Sequence, residues 1–213
     1  MLNEAVFNEF LGDIGATVTW RKASECPCRN SRNGGADPDC PVCEGIRYVW
    51  DAGVVTKIGV QALQTQRKFA AFGEWEKGDM LATIPSDSPA YAVGEYDRFV
   101  IEKAELRLSS ILTKGLNDRL KYATIKSLDR VWSIQGTVAV DYYAGKDFAL
   151  SGNAIVWSPS ATLPDGTQYT VRYFAVPEYF VYLTLPQDRM QSDLDLPKKV
   201  PLRLMELFHQ VVT

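Results

Sequence analysis

Hydrophobic and polar residues follow two different periods along this chain, and the change between them divides the sequence. In the first fifteen residues, apolar side chains recur three and four positions apart, which places them on one side of an α-helix. They are Leu2, Val6, Phe7, Phe10, Leu11 and Ile14. Gly12 and Gly15 mark the end of the stretch, so residues 1–15 are predicted to form an amphipathic helix. Its apolar side is expected to pack on the chain's own core, with docking into a neighbouring subunit as the alternative.

From Ala16 onward the pattern changes to short alternating runs of β-branched and aromatic residues, bounded by turn residues such as Pro164-Asp165-Gly166. These runs predict strands at Ala16–Trp20, Ile46–Trp50, Val54–Leu63, Asp79–Ile84, Phe99–Leu108, Tyr122–Leu128, Val138–Tyr143, Ala154–Trp157, Tyr169–Ala175 and Phe180–Leu185. Strands of this length and spacing favour a β-barrel or β-sandwich. The predicted fold class is therefore mainly β with an N-terminal helix.

The predicted organisation has three parts. Residues 1–15 form the helix, residues 16–185 form the β core, and residues 186–213 form an extended C-terminal arm. The arm is predicted because prolines recur through this segment, and proline favours extended backbone in the residue before it. Leu202–Val212 is predicted to tie the arm down as a short helix, with a short strand as the alternative.

Four cysteines in one short stretch carry the clearest chemical signal. They form two pairs, Cys26-Pro27-Cys28 and Cys40-Pro41-Val42-Cys43, joined by a polar segment rich in turn residues. Two such pairs supply the four soft ligands that a tetrahedral Zn²⁺ prefers. The second pair, followed by Glu44-Gly45, is typical of a zinc-ribbon or rubredoxin knuckle, where backbone N–H groups point at sulfur. We predict a structural Zn²⁺ site in an inserted zinc-knuckle loop over residues 26–43, with the ligands Cys26, Cys28, Cys40 and Cys43.

Disulfide pairing and an iron centre are the alternatives for these cysteines. The N-terminal Met1-Leu2-Asn3-Glu4 lacks the basic start and apolar run of a secretory signal, which favours a reducing compartment where thiols bind metal. Iron in a four-cysteine site is chemically allowed and stays open. Because all four ligands come from the protein, the site keeps no open position for water or substrate, and metal catalysis is not expected.

Length, composition and charge limit the class of partner. The chain has 213 residues, 46% of them hydrophobic, which is enough for a sizeable core. Its net charge is −3 with acidic and basic residues mixed, so no extended positive field for nucleic acid is expected. From Thr19 to Trp50, five basic side chains face four acidic ones, and Zn²⁺ with four thiolates brings the local sum to about −1. No apolar run approaches the roughly 20 residues of a membrane span, so no membrane insertion is predicted.

Signals for catalysis are sparse, and the chain is predicted not to be an enzyme. Its only histidine, His209, lies close to the C-terminus, a poor position for a Ser-His-Asp or Cys-His arrangement. No glycine-rich phosphate loop precedes a Lys-Ser/Thr pair. Catalytic carboxylates that meet only in the fold stay open, and they would suit an enzyme acting on a wall or sugar polymer.

Three groups of segments resemble virion proteins of tailed bacteriophages, and within that class the neck proteins that join portal to tail. The first is Trp20-Arg21-Lys22 with the two cysteine pairs and Glu44-Gly45; the second is Gly78–Pro85 with Glu95–Phe99; the third is Pro164–Val171, Pro177–Tyr179 and Pro186–Arg189. The resemblance spans most of the chain, and its motifs are structural.

The resemblance implies a structural virion protein, a head-completion, collar or stopper component, assembled in the host cytoplasm. It implies a homo-oligomeric ring on the head–tail axis, with neighbouring portal or adaptor and tail proteins as partners and DNA contact through the ring channel left open. The alternative function is a zinc-ribbon nucleic-acid-binding or regulatory protein, which the cysteines would fit and the charge disfavours.

Overall fold

The structure is a computed structural model that describes residues 4–28, 34–61, 78–184, 190–191 and 194–205. Helix α1 spans Glu4–Ile14, and a short 3₁₀ helix spans Pro89–Ala92. The strands are β1 Ala16–Arg21, β2 Ala23–Glu25, β3 Tyr48–Trp50, β4 Val54–Gln61, β5 Met80–Ile84, β6 Arg98–Val100, β7 Leu106–Thr113, β8 Ile125–Gln135, β9 Val138–Tyr142, β10 Phe148–Ser151, β11 Ala154–Trp157, β12 Gln168–Ala175, β13 Glu178–Val181, β14 Met190–Gln191, β15 Leu194–Asp195 and β16 Lys198–Leu204. The predicted fold class, mainly β with an N-terminal helix, is confirmed.

The chain divides into two compact units. The barrel unit consists of Met1–Glu102 and Glu178–Thr213, and the inserted unit is Lys103–Pro177. The residues predicted as one β core, 16–185, are thus shared between two units, each with its own buried interior. The chain leaves the barrel after β6 and returns to it at β13. These two strands are paired neighbours in the barrel, with Val100 opposite Glu178.

The barrel unit contains a closed antiparallel barrel in the order β1-β4-β5-β16-β13-β6. Each of the six strands contributes a fully buried apolar side chain to its interior: Val18, Ile58, Ile84, Phe99, Val181 and Leu202. Closure pairs every barrel strand with a neighbour on each side, so the barrel has no edge strand on which another chain could add a strand.

The inserted unit is a small β-sandwich. One layer is the four-stranded antiparallel sheet β7-β12-β8-β9, and the hairpin β10-β11 packs against it. Alternate residues of β12, namely Tyr169, Val171 and Tyr173, point into the shared core and are almost completely buried. Phe148 and Ile155 of the hairpin pack into the same core. The alternating apolar residues of β12 are therefore buried between the sheet and the hairpin, on one face of the sheet.

The C-terminal segment differs from the predicted arm. Lys198–Leu204 is strand β16 of the barrel, paired with β5 on one edge and β13 on the other. Val200, Leu202 and Leu204 alternate into the interior, and this period of two also replaces the helix predicted to begin at Leu202. The remainder of the predicted helix, residues 206–212, lies outside the described residues.

Several predicted strands have different bounds in the structure. The strand predicted at Phe180–Leu185, for example, is β13, Glu178–Val181, and the one at Ile46–Trp50 is β3, Tyr48–Trp50. The run Phe99–Leu108 is divided between β6 in the barrel unit and β7 in the inserted unit, because the chain passes from one unit to the other at Glu102 and Lys103. The run Tyr122–Leu128 begins later and continues further, as β8, because β12 and β9 pair with it on both edges.

Candidate metal centre

The four predicted cysteines converge on one point, where they could hold a metal ion. The Sγ atoms of Cys26 and Cys40 are 3.8 Å apart, those of Cys28 and Cys43 are 3.3 Å apart, and all four lie within 4.8 Å of one another. A tetrahedral ion with Zn–S bonds of about 2.3 Å needs sulfur–sulfur distances of about 3.8 Å. The donor set is therefore of the size that a tetrahedral thiolate site requires.

The first pair approaches from the end of β2. The N–H of Cys26 donates to the carbonyl of Arg47 at 2.7 Å, which continues the pairing of β2 with β3 by one more residue. The chain bends at Pro27, as expected for two ligands separated by a single residue. Within the pair, the N–H of Cys28 donates to the sulfur of Cys26 and acts to lower its pKa, although burial and the thiols of Cys43 and Cys40 raise that pKa overall.

The second pair forms a compact turn. The N–H of Glu44 donates to the carbonyl of Cys40 at 2.8 Å, and the N–H of Ile46 donates to the carbonyl of Cys43 at 2.9 Å. The N–H groups of Cys43 and Val42 point at the sulfur of Cys40 and lower its pKa to about 7. The predicted knuckle, with backbone N–H groups directed at sulfur, is confirmed at this position.

Gly45 closes that turn. Its φ is +79°, in the left-handed region, and a Cβ there would lie 3.1 Å from the Cα of Pro38. A larger residue would combine an unfavourable backbone conformation with a crowded contact. Glycine at this position therefore lets the two halves of the cysteine loop lie against each other.

The polar segment between the pairs contributes to the site through Asp37. Its carbonyl accepts from the N–H of Cys40 at 3.1 Å, and its side chain accepts from the N–H of Asp39, also at 3.1 Å. The N–H of Asp37 donates to the sulfur of Cys28 and lowers the pKa of that thiol, but the hydrogen bond with Cys43 and burial outweigh it and bring the pKa to about 12. Binding a metal ion would release the protons that remain on the four thiols.

The cysteine loop stands at the end of a two-stranded ribbon. Strands β2 and β3 are antiparallel, with Ser24 opposite Val49, and the cysteine loop connects them. The strand predicted to lead into the loop, Ala16–Trp20, is instead β1, which pairs with β4 and β6. Residues 23–50, the two strands with the loop between them, are called the metal ribbon below. The barrel strand β1 ends at Arg21, and the ribbon begins two residues later.

Residues that the sequence did not single out fix the metal ribbon to the barrel. The ring of Tyr48 stacks on that of Tyr96, and the indole N–H of Trp50 donates to the carbonyl of Tyr96 at 3.0 Å. The buried carboxylate of Asp97 accepts from the N–H of Ala23 at 2.7 Å and from the indole N–H of Trp20 at 2.9 Å. These contacts join positions between 46 and 77 residues apart in sequence, and no local pattern predicts them.

Among the described residues of the metal ribbon, 23–28 and 34–50, the basic side chain is that of Arg47. Arg47, beside the cysteine cluster, pairs with Glu25 at 3.4 Å, and both side chains are more than half exposed. Exposed pairs of this kind contribute little stability, but each one removes a cation from the field that a phosphate backbone would meet. This agrees with the low local charge found in the sequence.

Comparison with known proteins adds no assignment. The sequence matches no protein-family model, and no curated protein matches it significantly. In the part of the chain that the structure describes, no helix is both long enough and apolar enough to cross a bilayer. The prediction that the chain is not an enzyme depends in part on the position of His209. This residue lies outside the described residues, so the prediction stays a prediction.

Proposed function

We propose that the chain is a structural virion protein of a tailed phage, a subunit of the neck ring that joins the portal and head to the tail, and that Cys26, Cys28, Cys40 and Cys43 hold a structural Zn²⁺. The observation that carries the proposal is the position of the cysteine cluster. Four thiols converge at the end of a short ribbon, and the ribbon is fixed to a closed barrel.

Zinc is proposed because the donor set is all sulfur and of tetrahedral size. Backbone N–H groups directed at Cys26, Cys28 and Cys40 would offset part of the negative charge of a tetrathiolate centre. With four protein ligands the ion would be closed to substrate, so its role would be to hold the loop in one shape.

A loop fixed by metal suits a subunit contact. Val42, at the turn between Cys40 and Cys43, is 69% exposed although it is apolar. An ordered loop can present such a side chain without losing conformational entropy again when a partner binds. The sequence resemblance to neck proteins supplies the kind of partner: a neighbouring copy, a portal or adaptor protein, or a tail protein.

The metal is tested by native mass spectrometry on protein purified without chelator. We expect a mass increase of one zinc ion in the wild type and its loss in Cys40→Ser, with Ser24→Ala on β2 as the control that retains it. Metal-free wild type with four reduced thiols would contradict the zinc site. An iron mass with a coloured protein would replace zinc by iron and leave the structural role in place.

The neck role is tested separately, with heads and tails produced in the absence of the chain. We expect the wild type to join them in electron micrographs, and Cys40→Ser particles to separate more readily on heating or with chelator. Joining without the chain would overturn the neck role, and salt-sensitive retention of the purified protein on DNA would favour the nucleic-acid-binding alternative. Normal resistance of Cys40→Ser particles would overturn only the contact fixed by metal.

A further inference from the structure

Helix α1 packs on the barrel with the side that is poorer in apolar residues. Leu11 is buried close against Gly59 of β4. A Cβ atom at position 59 would lie only 2.8 Å from a methyl carbon of Leu11. On the same side, Asn8 donates to the hydroxyl of Ser86 at 2.9 Å, and Ser86 also hydrogen-bonds the carboxylate of Glu4. Polar contacts thus fix the rotation of the helix about its axis.

This rotation leaves a row of large apolar side chains in solvent. Val6, Phe10 and Ile14, spaced four residues apart, form one stripe on α1 and are between 53% and 65% exposed. These three residues are called the helix stripe below. Packing of the helix's whole apolar side on its own core, the first expectation from the sequence, is wrong for these residues. An amphipathic helix held in this orientation presents its apolar side to a partner.

The charge beside the helix stripe is negative. Glu9 and Asp13 form an exposed row about a quarter turn from Phe10 and Ile14. The barrel unit as a whole has fourteen basic and twenty acidic side chains, a formal net charge of −6. A partner of this surface should therefore combine an apolar centre with positive charge.

The inserted unit has an exposed face of that kind. On the side of its four-stranded sheet away from the core, Ile111, Thr170 and Trp132 lie side by side on three adjacent strands. Ile134 follows Trp132 on the same side of β8, opposite Ala139 of β9, and Ile111 and Ile134 are 69% and 62% exposed. These five residues are called the outer sheet face below.

Arginines border this apolar centre. Arg130 lies over the ring of Trp132 with its guanidinium carbon 5.4 Å from the ring centroid, and Arg172 is its cross-strand neighbour. Arg130 pairs with Asp141 and Arg172 with Asp129, and these pairs cancel most of the positive charge there. Arg107 lies on the same side of β7, so three arginines stand against two aspartates and the border sums to +1. The inserted unit has nine basic and six acidic side chains, a net charge of +3, opposite in sign to the barrel unit.

We infer that the helix stripe of one copy docks on the outer sheet face of a second copy of this chain. Each surface is apolar at its centre, and the charges around the two surfaces are opposite in sign. Every copy carries both surfaces, so the chain supplies its own partner. The inference rests on the proposed function in taking that partner to be another neck subunit, and it names the contact between neighbouring subunits.

The contact would be heterologous, because different surfaces of the two copies meet. Each copy that docks with its helix stripe leaves its own outer sheet face free, so the association continues until a ring closes or a filament grows. An isologous contact, in which one surface meets its own copy, would stop at a dimer. The number of copies that associate therefore distinguishes this contact from an isologous one.

The test is sedimentation velocity over a range of protein concentrations, on the full-length chain in low and high salt. We expect the wild type to associate with rising concentration and to do so less in high salt. Phe10→Asp and Ile111→Asp should each weaken association by roughly thirtyfold or more, as for a residue at the centre of an interface. Leu116→Asp, at an apolar residue 82% exposed in a turn of the inserted unit, is the matched control and should associate like the wild type.

An equimolar mixture of Phe10→Asp and Ile111→Asp separates this contact from others. Each variant keeps the surface that the other has lost, so the mixture should form dimers and stop there. Circular dichroism and zinc content equal to those of the wild type establish that each variant is folded. If Phe10→Asp is not folded, Val6→Asp replaces it, and if Ile111→Asp is not folded, Ile134→Asp replaces it. A wild type monomeric at all concentrations, a single variant that associates normally, or a mixture that stays monomeric would overturn the inference. Association through these surfaces by a chain that does not join heads to tails would overturn the neck role alone.

Discussion

Tyr48 and Tyr96 stack with their ring centroids 4.1 Å apart and their planes 18° apart, and this pair connects the metal ribbon to the barrel unit. Tyr96 has a φ of +67°, and its N–H donates to the carbonyl of Val181 on β13 at 2.9 Å. The ring of Tyr96 also lies parallel to that of Phe180, with centroids 6.3 Å apart. The orientation of the cysteine loop thus depends on a barrel strand far from it in sequence.

Removal of this stack should loosen the metal ribbon. Tyr48→Ala is expected to lower stability by about 1–2 kcal/mol, because a stacked aromatic pair contributes about 0.5–1.5 kcal/mol beyond the area that it buries. Tyr48→Phe keeps the ring and should retain most of that stability. Thermal unfolding measures the effect, together with the rate of zinc transfer to a chromophoric chelator. Equal transfer rates from the wild type and Tyr48→Ala would argue against a role of the stack in holding the site.

Alkaline pH should weaken the same contact. Burial, with Tyr96 close by, raises the pKa of Tyr48 from 10.0 to about 12. Since the folded protein favours the neutral phenol, this contribution to stability is complete below about pH 10 and is lost as the pH rises through about 12. The difference in phenolate absorbance between the wild type and Tyr48→Phe should show one group titrating near pH 12. A midpoint near 10 would mean that the phenol is open to solvent.

Metal removal should act locally. Chelation is expected to release the turns of the metal ribbon and to leave the inserted unit folded, because the inserted unit has its own core and none of the four cysteines. Amide hydrogen exchange should therefore speed up at Glu44 and Ile46, whose N–H groups bond within the loop, and stay slow at Tyr173 on β12. Faster exchange at all three would show that the ion supports both units, whereas unchanged exchange at Glu44 would show that the loop holds its shape unaided.

Asp97 should be one of the most sensitive positions of the barrel unit. Its carboxylate is buried and accepts from the indole N–H of Trp20 and from the N–H groups of Ala23 and Gly94. Asp97→Ala leaves these donors without that acceptor and should cost about 3 kcal/mol or more, since hydrogen bonds to a charged group contribute about 1.5–3 kcal/mol each. Asp97→Asn keeps the size and should cost less. Chemical denaturation measures both, and a loss below about 1 kcal/mol for alanine would contradict this account.

Asp118 is the corresponding position of the inserted unit. It accepts from the hydroxyl of Tyr169 at 2.6 Å, from the indole N–H of Trp157 at 3.2 Å and from the N–H of Gly115 at 2.8 Å. Asp118→Ala should lower the stability of the inserted unit by about 2–3 kcal/mol without changing the zinc content. Tyr169→Phe, which removes only the first of these bonds, should cost about 1.5 kcal/mol, the lower end of the range for a hydrogen bond to a charged group. Zinc loss in Asp118→Ala would show that the two units do not unfold independently.

Local chemistry determined the four-cysteine cluster and the type of secondary structure. The four cysteines are close in sequence, and the geometry of the Cys40–Gly45 turn follows from short-range rules: N–H groups that point at sulfur, and a glycine where φ is positive. The period of two likewise marked most strands, because each strand buries one face whichever neighbour it pairs with. These features were predictable because residues near one another in the chain decide them.

Strand pairing, the division into units and the attachment of the metal ribbon depended on the tertiary structure. The same alternation of apolar residues suits a strand in either unit. The pattern of Phe99–Leu108 therefore did not show that the chain passes from the barrel unit to the inserted unit within this run. The pattern of Lys198–Leu204 likewise did not show that these residues form a barrel strand. Helix α1 is the clearest case. Its sequence has one apolar side, but contacts with Ser86 and Gly59 selected which residues are buried. Periodicity identifies the apolar side of an element, whereas long-range contacts decide whether that side meets the chain's own core or remains exposed to a partner.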